Sequence, residues 1–275
     1  DYSILSAPQL AVHPDGPRAY ELEAAPPGWP RAAALARAIH QYLNPPTAAR
    51  WGLRGSYDRD ILAFEARPHG RLIERLHAVA GGPGHLRLLQ MASVTHVLAI
   101  APAPWWRNLR PVAVRPGVFA RPIHVFEVPE PLPRAYAVVG ARVRGEDAAL
   151  DLVGRGDFDP RGEIVLLEGQ ERPGRGQAGT VELVRVAPDR LRLEANLDRE
   201  GFVVVTDAFD QGWRATLDGR AAPLLRANLA FRALAVPAGR HAVEMVYRPA
   251  SVTVGLLISL SALAGCAVAF RRRPA

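Results

Sequence analysis

The residues whose chemistry stands out are those suited to binding a sugar or its phosphate: Tyr57, Asp58, Arg134, Asp207, Trp213, Arg226 and Asn228. Trp213 follows Gly212 at the entry to a strand, where an indole face can stack on a pyranose ring or plug the end of a strand assembly. Tyr57 and Asp58 follow Arg54-Gly55-Ser56 and join a ring to a carboxylate able to bind sugar hydroxyls; a turn in which Asp58 accepts backbone amides uses the same residues. Arg134, directly after Pro133, offers a guanidinium that can clamp a phosphate through paired hydrogen bonds or form a salt bridge with Glu130 or another nearby acid. Arg226 and Asn228 share a surface with Asp207 only if the strand register brings them together. Asn44 reads as a helix terminator.

Other chemistries find little support. The histidines show neither a His-x-x-x-His pair nor facial-triad spacing, so no metal is expected. No Gly-x-Ser-x-Gly elbow occurs, and Gly81-Gly82-Pro83-Gly84 lacks the Gly-Lys-Ser/Thr close of a phosphate loop, so it reads as a turn. Asp157 and Asp159 are neighbours on a Gly-rich loop, where carboxylates are solvated or turn-forming. The single cysteine, Cys266, excludes an internal disulfide and lies in an apolar run where a thiolate is disfavoured. No catalytic residue, metal or cofactor is predicted.

The elements that must position these residues change character along the chain. Trp29-Pro30 introduces a helix with Leu35, Ile39 and Leu43 on one face, stopped by Asn44-Pro45-Pro46. A second helix is expected over 71–80, a short one over 85–91, and a buried strand over 95–100. The Pro-rich stretch 101–121, with Trp105 and Trp106, reads as a linker or surface loop. Strands are expected at 124–128, 134–143 and 164–168, a short helix at 146–153, and a mobile loop at 169–179, which has no apolar anchor. Beyond it the period becomes two, at Val181, Leu183, Leu191 and Leu193, with frequent turn signals, which predicts an antiparallel sandwich. Asp218-Gly219 marks a two-residue hairpin, whose centre needs positive φ.

Val252 to Phe270 carries no charge, and at about 1.5 Å per residue such a helix reaches about 28 Å, close to the roughly 30 Å thickness of bilayer hydrocarbon. Arg271, Arg272 and Arg273 follow and mark the cytoplasmic side, which puts the preceding residues outside the cell. The chain opens Asp1-Tyr2-Ser3 and reads as a piece of something longer or a processed product. The expected organisation is α+β: a mixed α/β region over 1–121, a mainly β-sandwich domain over 122–250, and a transmembrane helix with an Arg tail over 251–275. With 49% of 275 residues hydrophobic, a packed core is expected. The net charge of +7 raises nucleic acid as a partner, but all 34 basic residues are Arg, beside many Ala, Gly and Pro. Codon bias explains that pattern better than selection for phosphate contacts, so nucleic acid is not expected, whereas the uncharged run makes membrane lipid the expected partner.

From Gly201 the chain runs GFVVVTDAFDQGWRATLDGRAAPLLRANLAFRALAVPAGRHAVEMVYRP into the apolar helix. This resembles the C-terminal portion of the YfhO family of bacterial membrane proteins: a strand, a Gly-Trp-x-Ala turn, an Asp-Gly hairpin, an Arg-Ala-Asn strand and an Ala-Gly-x-His hairpin before a final span. Leu43-Asn44-Pro45 leading to Gly52 through Asp58, and Val125 to Tyr136, fit as well. The resemblance implies a GT-C-like membrane glycosyltransferase of the bacterial cytoplasmic membrane. Such an enzyme transfers a polyprenyl-phosphate-linked sugar, with inversion, to a cell-envelope glycan such as lipoteichoic acid. The catalytic acid of that superfamily lies in an early loop between membrane helices, so the resemblance implies an acceptor-positioning or structural module without the catalytic centre. The alternative is a single-span, non-enzymatic envelope protein that binds glycan or a protein partner.

Overall fold

The apolar pattern gives two kinds of strand, some covered on one face and some on both. The computed structural model describes residues 3–6, 52–57, 67–80, 82–99, 108–116 and 122–271. The helix expected after Trp29-Pro30, the Trp105-Trp106 pair and Asp58 lie outside the described residues.

The first sheet contains β1 (Ser3–Ser6), β2 (Arg54–Gly55), β3 (His96–Ala99), β4 (Arg110–Arg115) and β5 (Ile123–Glu127), in the order β2-β1-β3-β5-β4. Pairing is parallel from β2 to β3 and antiparallel from β3 to β4. Part of the expected linker is thus a strand. Pro111 masked it in the sequence, and it is tolerated because β4 is an edge strand. Helices α1 (Arg67–Ala78), α2 (Pro83–Met91) and α3 (Glu146–Val153) build one core with this sheet. Leu72, Ile73 and Leu76 line one side of α1, and meet Leu88 and Leu89 of α2 and Val153 of α3. Arg71 locks α1 to α3 by donating to Glu146 at 2.6 Å and Asp147 at 2.5 Å. Pro83, at the start of α2, continues the glycine turn into a helix.

The second sheet contains β6 (Ala135–Val138), β7 (Gly140–Val143), β8 (Glu163–Leu166), β9 (Gln177–Ala187), β10 (Arg190–Leu197), β11 (Gly201–Ala208), β12 (Trp213–Leu217), β13 (Arg220–Ala222), β14 (Leu225–Ala227), β15 (Phe231–Val236) and β16 (Gly239–Tyr247). Its order is β13-β12-β16-β10-β9-β6-β11-β15-β14-β8-β7. β10 alternates, with Leu191, Leu193, Ala195 and Leu197 buried and Arg192 and Glu194 exposed. β6 and β11 do not alternate because both their faces are covered. Ala137, Val203 and Val205 face a core with Leu193 and Met245, whereas Tyr136, Val138, Phe202 and Val204 face another with Ile164 and Leu166.

Three expectations change. The strands close into one curled eleven-stranded ladder, so hydrogen bonding does not confirm the sandwich, although the α+β class holds. The strand expected over 134–143 is two: β6 lies mid-sheet and β7 at the edge, where β7 runs parallel to β8 with α3 as the crossover. The expected mobile loop over 169–179 is tied down as a strap. Arg172 exchanges both backbone hydrogen bonds with Ala141, at 2.9 and 3.0 Å, and Val139 donates to the carbonyl of Gly176 at 3.0 Å. Gly140 permits this approach, since a Cβ there would collide with the carbonyl oxygen of Gly174.

The chain ends in α4 (Ala250–Arg271), 22 residues long, whose side chains from Ala250 to Cys266 are all exposed. Among the described residues no helix is long and apolar enough to cross a membrane, so the expected transmembrane helix is not confirmed.

Candidate functional site

Where β11 meets β15 the ladder slips: Val205 pairs with Arg232 and Ala208 with Phe231, leaving Thr206 and Asp207 bulged out of the register. Such a bulge re-aims side chains, and here it delivers Asp207 to the boundary with the first sheet. Arg134 holds it in a fork, donating from Nε to Oδ1 and from Nη2 to Oδ2, both at 2.8 Å. Thr206 fixes the geometry by donating its backbone N–H to the Arg134 carbonyl at 2.9 Å. Arg54 of β2 approaches the same carboxylate at 3.6 Å and Arg232 of β15 at 3.9 Å.

Three guanidinium groups therefore surround one carboxylate. Arg232 has a side-chain exposure of 5%, donates from Nε to the Ala208 carbonyl at 2.9 Å, and lies over the Trp213 ring at 3.7 Å from its centre. Burial pulls its pKa down to about 10, against the opposing pull of Asp207. Arg54 is also lowered, by burial first and then by the neighbouring charge of Arg134. Among the described residues, Arg54 Nε and Arg232 Nη1 are buried without a hydrogen-bond partner. Above the carboxylate opens a cavity of about 410 Å³ walled by Leu53, Arg54, Ser56, Tyr57, His69, Asp207 and Phe231.

The residues singled out from sequence divide into three groups. Arg134 and Asp207 are joined directly, and Tyr57 walls the same cavity. Tyr57 is only 3% exposed, takes a left-handed φ of 56°, and donates its hydroxyl to the Leu88 carbonyl at 2.6 Å, so it also ties the cavity to α2. Trp213 reaches the cluster through Arg232, leans on Tyr247 with ring centres 5.3 Å apart, and packs on the β10 core. Arg226 pairs across strands with Arg232 but places its guanidinium over Phe209, 4.7 Å from the ring centre. Asn228 is fully buried, where its Oδ1 accepts the Val165 N–H at 2.9 Å and its own N–H returns to Val165 at 2.7 Å. It is a brace between β14 and β8.

Arg54 and Arg232 were not singled out from the sequence. The signal for Arg232 was present, since a lone charge in the run LAFRALAV has to find a buried partner. Arg54 carried no such mark. A second pairing joins two hairpins: His241 Nδ1 lies 2.7 Å from Asp218 Oδ2, and Asp218 Oδ1 accepts the Ala242 N–H at 2.8 Å. Among the described residues no group of His, Cys, Asp or Glu is placed to hold a metal ion.

No curated protein and no solved structure matches the chain. Residues 175–259 match the family model described as bacterial membrane protein YfhO. The match covers β9 to β16 and enters α4, so it contains Asp207, Trp213, Asp218, Arg232 and His241, while Arg54, Tyr57 and Arg134 precede it. Over this segment the chain is similar to the YfhO family of bacterial membrane proteins.

Proposed function

We propose that this chain is the envelope-facing C-terminal module of a YfhO-like membrane glycosyltransferase, holding a glycan acceptor over Asp207 while transfer from a polyprenyl-phosphate-linked sugar takes place elsewhere in the enzyme. The carrying observation is the cavity at the seam of the two sheets, where Arg54 and Tyr57 from one side meet Asp207 from the other. The mix of apolar wall and fixed charges at this site suits the amphipathic faces of a sugar. The chain's own residues orient and exclude water: Arg134 fixes the carboxylate, and Leu53 and Phe231 supply dry surface.

α4 is the element that enters lipid in this reading. Its 22 residues reach about 33 Å, its described side chains are all exposed, and the matched family is one of membrane proteins. Arg271 to Arg273 then stay on the cytoplasmic side and residues 1–250 lie outside. The test replaces Arg54 by Ala in the native gene and measures sugar on the envelope polymers. Reduced glycosylation at unchanged protein level is expected. Unchanged glycosylation refutes acceptor holding, and glycan binding without any transferase activity in the native protein favours a non-enzymatic binder.

A further inference from the structure

We infer that the cavity over Asp207 takes a phosphate-bearing ligand, with the phosphate seated against Arg54. This rests on the acceptor-holding reading of the same cavity and names the chemistry of what is held. Among the described residues, Arg54, Arg134 and Arg232 lie within 4 Å of one acid, Asp207, which leaves a local excess of positive charge. Among the described residues, Asp210 also acts on Arg232, and its Oδ1 accepts the Gly212 N–H at 2.6 Å. A charge excess at a partly buried site is costly unless an anion completes it.

One donor is in place for that anion: Arg54 walls the cavity, and its buried Nε has no hydrogen-bond partner among the described residues. Arg232 does not line the cavity and adds its charge from behind Asp207. Arg134 gives its Nε and Nη2 to Asp207 and does not line the cavity, so it supplies field and not contacts. A cavity of about 410 Å³ accommodates a sugar phosphate, whose ring would lie on Leu53 and Phe231 while a phosphate oxygen accepts from Arg54.

The test titrates the full chain in detergent micelles, at fixed ionic strength, with inorganic phosphate, glucose 1-phosphate, dihexanoyl phosphatidic acid and neutral glucose, read by calorimetry. Glucose 1-phosphate or the phosphatidic acid is expected to bind more tightly than glucose, and the stronger of the two identifies a sugar-borne or lipid-borne phosphate. Arg54→Gln should weaken that binding about tenfold, the loss of one charge-assisted contact. Asp207→Asn should strengthen it, because the competing anion is removed. If Arg54→Gln does not fold, Arg54→Lys, which keeps the charge and loses the fork, should weaken binding in the same direction. Phosphate binding indifferent to Arg54, or weakened by Asp207→Asn, overturns the inference. Binding of neutral glycan alone overturns it while leaving acceptor holding intact, and binding of neither removes both.

Discussion

Replacing Asn228 tests how β8 is held to β14 within the second sheet. The side chain is fully buried, and its Oδ1 satisfies the Val165 N–H at 2.9 Å. In Asn228→Ala that donor is left buried and unmet, which costs about 1 to 3 kcal/mol. The backbone adds to the loss, since Asn228 has a φ of 48° and an alanine held there loses about 1 kcal/mol more. Part is returned: Asn228 Nδ2 faces the Tyr136 hydroxyl without closing a full hydrogen bond, so its removal relieves one unmet donor. The net loss is about 2 to 3 kcal/mol, which lowers the melting temperature of a chain this size by roughly 5 to 10 °C. Asn228→Gly loses the same hydrogen bond but not the backbone preference, so it should be milder than Ala by about 1 kcal/mol, reversing the usual order of the two residues. Thermal unfolding followed by circular dichroism measures both. A glycine variant equal to or less stable than the alanine variant would refute the reasoning.

Further outcomes are open to measurement. Gly140→Ala should detach the strap over β7 and speed amide exchange at Ala141 and Arg172, because the Gly174 carbonyl occupies the space a Cβ needs. Gly219→Ala meets open space, so it should cost only the strain of a φ of 78°, about 1 kcal/mol, seen as a small shift in unfolding midpoint. The Asp218–His241 pairing raises the imidazole pKa, chiefly through the carboxylate hydrogen bond, and lowers that of Asp218 through the same contact. The histidine contribution to stability is complete below about pH 6.5 and fades as pH rises through the raised value. The aspartate contribution is complete above about pH 4 and fades as pH falls through the lowered one. The pairing is therefore strongest between those limits, and an NMR titration of His241 should give a midpoint above that of the Asp218→Asn variant. A midpoint unaffected by that substitution would show that the contact does not govern the ring.

Local elements were legible in the sequence wherever a single rule decided them. The helix at Glu146–Val153 and the Asp218-Gly219 hairpin stand where expected, the latter with φ values of 51° and 78°. What sequence could not supply was pairing between distant segments. Alternation in β10 states that one face is covered, but it does not state whether the covering strands belong to the same ladder, so a curled sheet and a sandwich read alike. The break between β6 and β7 was hidden because Val138, Val139 and Ala141 are all strand-compatible. The candidate site shows the same division. Asp207 and Arg134 were visible as residue types, whereas the approach of Arg54 depends on a bulge in β11 and on contact between two sheets.

The placement of β6 has a consequence for how the molecule is made. Its two neighbours, β9 and β11, begin at Gln177 and Gly201, both later in the chain. During synthesis or export from the N-terminal end, Ala135–Val138 therefore emerges with two greasy surfaces and no ladder to join. Until Gly201 has followed, this tetrapeptide is a sticking point at which the nascent protein invites chaperones or aggregation, and slow passage through that interval should lower the yield of folded molecules.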